Sequence, residues 1–252
     1  MEAFLGLGAT ALLACAIAMM AGGTVKGVVG IGLPLVSLPV MATFIPIQKA
    51  IALLVLSSFA TSVWQTFHGR LFVPLLRRLW PLLIGITIGT PIGVGVLATF
   101  NVSALYSILG TIVAVFAVLL HRSLILTVSA RAEPWAAPAV GAVSGIVGGM
   151  SMLFGPVYAM YLAGLKFGKE RFVAAIALSN VWASLVLAAS LERFNLLGGA
   201  DLVASLLALI PSFAGLAAGQ WLRGRIDEDR FRKVLAVVLF LIGLNLIRKA
   251  LS

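Results

Sequence analysis

Lys26 is the one full charge set inside an apolar, glycine-broken stretch, G-T-V-K-G-V-V-G-I-G-L-P at Gly23–Pro34. An ammonium in a partly desolvated cavity holds an oxyanion by charge. Glycines let the chain unwind and expose backbone N–H groups, and a half-helix N-terminus adds a positive dipole end. Gly27, Gly30 and Gly32 are the candidates for that backbone. Neutral donors follow in T-S-V-W-Q at Thr61–Gln65, where Ser62 and Gln65 can hydrogen-bond an anion and Trp64 can wall its pocket. The pattern recurs downstream. A shift of 118 carries Gly23, Gly27 and Gly30 onto Gly141, Gly145 and Gly148, and Thr61-Ser62-Val63-Trp64 onto Ser179-Asn180-Val181-Trp182. Gly145, Gly148, Gly149, Asn180 and Trp182 therefore complete the candidate substrate-binding set.

The acidic residues narrow the chemistry. Glu2, Glu133, Glu170, Glu192, Asp201, Asp227, Glu228 and Asp229 are all of them, and each falls at a terminus or between apolar stretches. Cation and proton carriers commonly bury a carboxylate in the membrane to hold the ion or relay the proton. No such group is present here, so the site suits an anion. No Ser/His pair lies mid-membrane and no H-E-x-x-H occurs, so the sequence reads as no enzyme. Metal-ligand spacing is absent and no cofactor is expected.

The elements that must position these residues are membrane helices. Hydrophobic residues make up 62% of the 252 and charged ones 10%, with mean hydropathy +1.14. Up to ten apolar segments, most near the ~20 residues needed to span hydrocarbon, are rich in Leu, Ala, Val, Ile and Gly without two-residue alternation. The expected fold is an all-α integral membrane protein of about eight transmembrane helices with broken or re-entrant Gly/Pro-rich elements. Repeat one is expected over 1–122 and repeat two over 132–252, within a single membrane domain. Glu2 occupies the place of a basic n-region, so the first segment is not expected to act as a cleavable signal peptide. Cys15 reads as a small packing residue.

The basic residues sort by side. With ten alternating segments, thirteen fall on one face, in loops 70–78, 122–131, 166–171 and 223–233. Lys49, Arg193, Arg248 and Lys249 fall on the other. The richer face should be cytoplasmic, which puts both termini on the non-cytoplasmic side of the cell (inner) membrane. The loop before Leu79 is basic while its counterpart at Glu192–Asp201 is not, and the Asn101 turn is uncharged while its counterpart at Arg223–Lys233 is. Equivalent loops on opposite faces make the repeats inverted. A net charge of +10 confined to such loops implies a lipid bilayer as partner and no nucleic acid.

Each residue also has a plainer reading. Counted from Ala3, Lys26 lies near the cytoplasmic surface and would snorkel; counted from Pro134, its repeat partner Ser144 lies near mid-membrane. Ser62, Gln65 and Asn180 could tie helices together, and the tryptophans could mark an interface. Gly85, Gly89, Gly93 and Gly95, with Gly215 and Gly219, form small-residue faces for close packing or a homodimer.

At K-G-V-V-G-I-G-L-P (Lys26–Pro34), Gly145–Gly149 and V-W-Q (Val63–Gln65), the chain resembles the TauE/SafE family of sulfite exporters, over essentially its whole length. The resemblance implies movement of sulfite, organosulfonates or related sulfur oxyanions across the cytoplasmic membrane. Two departures stand out. The second copy reads G-G-M where a third glycine is expected, and Ser62 replaces an asparagine. Transport of an unrelated small anion or carboxylate, and a non-transporting membrane scaffold, are the alternatives.

Overall fold

The computed structural model describes residues 9–67, 72–122, 132–165, 167–196, 199–223, 225 and 228–251. Among these lie eleven helices and no strand. They are α1 Ala9–Val29, α2 Leu33–Met41, α3 Ile47–Phe67, α4 Phe72–Thr99, α5 Val102–Arg122 and α6 Glu133–Ser151. These are followed by α7 Phe154–Gly164, α8 Lys169–Arg193, α9 Gly199–Leu207, α10 Leu209–Leu222 and α11 Glu228–Leu251. Helices are what apolar sequence of this kind must form, because each then satisfies its own backbone polar groups. The order long, short, long, long, long in α1–α5 recurs in α6–α11, except that the fourth member is split at Ala208 into α9 and α10.

Six stretches are long and apolar enough to cross a bilayer: Thr10–Val29, Ile47–Thr66, Phe72–Thr99, Val102–Leu119, Arg171–Arg193 and Val203–Leu222. The protein is a multi-pass helical membrane protein. Its described carboxylates keep to terminal turns, Glu133 opening α6 and Glu228 opening α11. His68, the loop arginines Arg70 and Arg131, Asp227, residues 1–8 and Ser252 lie outside the described residues.

Two compact units make up the chain. The first comprises Met1–Leu54, Thr99–Leu124 and Gly199–Ser252. Here α1 lies against α10 through glycines. A Cβ on Gly23 would stand 2.4 Å from the Ser212 carbonyl oxygen, and one on Gly215 would stand 2.1 Å from that of Met20. No side chain fits between these backbones, so glycine is required for the approach. Helices α5 and α11 meet in the same way at Gly110 and Gly243. Helix α2 folds back along α1, where the Ser37 hydroxyl donates to the Ala18 carbonyl (2.8 Å). The C-terminal end of α2 is held by Tyr106 and Lys249. Tyr106 donates to the Ala42 carbonyl at 2.9 Å, and Lys249 Nζ reaches the Ala42 and Thr43 carbonyls at 3.1 and 3.2 Å.

The second unit comprises Val55–Ala98 and Ile125–Gly198. It packs α6 on α4: a Cβ on Gly141 would lie 2.1 Å from the Leu82 carbonyl, and one on Gly145 2.8 Å from that of Ile86. Read together, Pro81-x₃-Gly85-x₃-Gly89 on α4 and Pro211-x₃-Gly215-x₃-Gly219 on α10 are the same face twice. Each receives a glycine-rich helix from the other half of the sequence. At the mouth of α4, Arg78 forms a two-pronged ion pair with Glu133 (3.0 and 3.1 Å) and lies over the Phe167 ring.

The helix breaks occupy only part of the Gly- and Pro-rich stretches Gly27–Pro34 and Gly145–Pro156. Helix α1 runs unbroken through Gly22, Gly23 and Gly27 and stops at Val29, so the first part of the glycine-broken stretch Gly23–Pro34 is helical. The break is confined to Gly30-Ile31-Gly32, with φ of 88° and 148° at the two glycines. Its counterpart is Met152-Leu153, with Met152 at φ 59°. Glycine disfavours an isolated helix, but close packing of α1 on α10 and of α6 on α4 holds both helices to their ends.

Candidate functional site

In the first unit, Lys26 occupies the last turn of α1 with 1% of its surface exposed. Its carbonyl accepts the Gly30 N–H at 2.8 Å, which closes the helix just before the break. The ammonium is enclosed by protein and does not lie out along the surface as a snorkelling lysine would. Immediately beyond it, Gly30 and Gly32 supply the positive-φ backbone that turns the chain into α2. No side chain caps the first turn of α2, and Pro34 already lacks a donor there. Gly27 does a different job from the one expected of it. A Cβ there would come within 2.5 Å of the Leu216 carbonyl, so Gly27 is consumed by helix packing.

The second unit holds the remaining candidates. Gly145 and Gly149 are helical and face α4; a Cβ on Gly149 would stand 2.4 Å from the Thr90 carbonyl. Gly148 lies under the Phe154 ring. None of the three offers an unwound N–H, because α6 continues to Ser151. Ser144, the counterpart of Lys26, is fully buried and donates to the Phe154 carbonyl across the break (2.9 Å).

The polar side chains divide sharply. Ser62 is buried, but its hydroxyl donates to the Ser58 carbonyl of its own helix at 2.6 Å, which occupies its single proton. Thr61 and Thr66 bond back in the same way, to Ser57 and Ser62. Gln65 is buried beside them on α3. Asn180 differs from its counterpart Ser62, because its side-chain oxygen accepts the Tyr158 hydroxyl and its amide N–H groups have no hydrogen-bond acceptor among the described residues. The tryptophans do not enclose a pocket: Trp64 is 50% exposed, and Trp182 is 38% exposed with its indole N–H bonded to Thr87 Oγ1 at 2.9 Å.

The sequence echo missed Tyr158, which is completely buried on α7. The shift of 118 holds to Gly148 and then slips by three, because α6 runs four residues further than α1 and its break is one residue shorter. Aligned on the breaks, Leu33 falls on Phe154 and Ser37 falls on Tyr158. Each short helix thus carries a buried hydroxyl at its fifth position. Neither register in the sequence reveals it, because the glycines put Ser37 on Gly155 and the prolines Pro34 and Pro156 put it on Ala159.

The sequence model of a family described as Sulfite exporter TauE/SafE matches residues 14–246, which takes in both breaks and nearly every helix. The chain belongs to the TauE/SafE family. No curated protein and no solved structure matches it. As a TauE/SafE protein it is an exporter-type membrane transporter, and the family is one of carriers, not enzymes. In this TauE/SafE chain the small-residue faces Gly85–Gly93 and Gly215–Gly219 are filled within their own units.

Proposed function

We propose that this TauE/SafE protein carries a small sulfur oxyanion, sulfite or an organosulfonate, across the cytoplasmic membrane. The observation that carries the reading is Lys26. It is a fully buried lysine at a helix break, in an apolar stretch without a carboxylate, within a family of sulfite exporters. A lysine charge enclosed in this way at a helix break attracts a transported oxyanion. The uncapped start of α2, just past Lys26 in the same unit, adds backbone N–H groups. Unbroken helices would suit a scaffold; the twin breaks favour a carrier.

The topology proposed with it has repeats over 1–122 and 132–252, inverted with respect to each other, and both termini outside the cytoplasm. The charge bias of the loops supports this. Reporter fusions after Ser252 and within loop 223–233 test it, and a cytoplasmic C-terminus refutes it. The substrate is tested by flux of labelled sulfite, taurine-like sulfonate and acetate in reconstituted vesicles, with and without a pH gradient. Sulfite or sulfonate flux is expected. Flux of acetate alone would favour the carboxylate alternative.

A further inference from the structure

Tyr158 and Asn180 meet inside the second unit, one from α7 and the other from α8. The Tyr158 hydroxyl donates to Asn180 Oδ1 at 2.5 Å, and this is its only hydrogen bond among the described residues. Tyr158 has no exposed surface, whereas Asn180 is half-buried and so remains approachable. Asn180 Nδ2 makes no hydrogen bond among the described residues. The neighbouring Ser179 hydroxyl is also fully buried without a partner there.

An amide has one accepting end and one donating end, and rotation by half a turn exchanges them. In the observed orientation the accepting end faces Tyr158, which fills one of its two lone pairs, and the donating end is turned away. Were the amide to flip, Nδ2 would face the Tyr158 oxygen, and the buried phenolic proton would lose its acceptor. Tyr158 therefore biases the amide towards one orientation, in which the open edge carries only N–H groups. Such an edge pairs with oxyanions and offers nothing to a cation or to a donor.

We infer that Tyr158 is the positioning residue that locks Asn180 as a donor-only contact and so sets this site for anions. The inference rests on the anion-carrier reading above. No sequence pairing announced it, since Tyr158 contacts substrate only through Asn180.

The test is a double-mutant cycle in reconstituted vesicles, with sulfite as probe and wild-type flux as reference. Tyr158→Phe keeps the ring and removes the hydroxyl. It should raise the half-saturating sulfite concentration roughly two- to tenfold, the range of one hydrogen bond, with maximal flux retained. Asn180→Ala should raise it at least as far. The double variant should match Asn180→Ala alone, because Tyr158 acts through that one side chain. Asn180→Asp keeps the oxygen facing Tyr158 but turns the donor edge into a carboxylate, and should abolish sulfite flux at unchanged yield. Additive effects in the cycle overturn the inference. So does a Tyr158→Phe variant that loses thermal stability while keeping the wild-type half-saturating concentration, or an Asn180→Asp variant that carries sulfite normally. If wild-type protein carries acetate and not sulfite, the substrate reading fails and the same cycle is scored on acetate. If it carries no anion, both fall.

Discussion

Gly27 and Gly219 stand backbone to backbone. A Cβ on Gly27 would lie 2.7 Å from the Gly219 Cα, and a Cβ on Gly219 would lie 2.9 Å from the Gly27 Cα and 2.1 Å from the Thr24 carbonyl. These are main-chain atoms and cannot rotate away. Gly219→Ala should therefore push α1 and α10 apart and cost at least the ~1–3 kcal/mol of an overpacked core. Thermal unfolding in detergent should show a clear loss for Gly219→Ala and Gly89→Ala. Gly168→Ala, where nothing lies within 4 Å, should be silent. An unchanged melting temperature for Gly219→Ala would refute the packing.

Lys26 tests the site itself. Lys26→Met removes the charge from a buried position while keeping most of the volume, so the protein should fold and flux should fall at least tenfold. Lys26→Arg keeps the charge but needs more room and a fixed planar geometry, and should retain only part of the flux. Normal flux through Lys26→Met would refute Lys26 as a substrate contact.

Lys249 closes the end of a helix that it does not belong to. Its ammonium caps the last carbonyls of α2, where the helix dipole is negative, and lies 4.6 Å from the Tyr106 ring centroid. Lys249→Met should destabilise the first unit by about 0.5–2 kcal/mol, the range for a cation at a partly buried helix C-terminus. Arg248→Met, whose guanidinium reaches only Asn245 on its own helix, should lower the melting temperature far less. Equal losses from the two variants would dismiss the cap.

The Arg78–Glu133 pair should count for little. Its side chains are 46% and 24% exposed, so water and salt screen it. Glu133→Gln should lower stability by no more than ~1 kcal/mol, and the difference should shrink as salt is raised. A large, salt-independent loss would show that the pair anchors α6 to α4 more firmly than its exposure allows.

The sequence by itself determined the class and the punctuation. Hydropathy of this order leaves a chain no option but membrane helices, since only they satisfy their own backbone in hydrocarbon. Glycine and proline marked both hairpins to within a few residues, and Lys26 was legible because a charge in an apolar run needs a reason. The tertiary structure decided what the glycines do. Periodicity shows that Gly23, Gly27, Gly141 and Gly145 share a face, but any small-residue face can receive any other. Pairing α1 with α10 and α6 with α4 depends on contacts between distant parts of the chain. Those contacts turned Gly27, Gly145 and Gly149 from expected ligand backbone into helix packing and confined the breaks to Gly30–Gly32 and Met152–Leu153. The Tyr158–Asn180 bond was out of reach for the same reason. Which end of an amide faces outward is set by the partner that claims the other end, and that partner is fixed only when two helices pack.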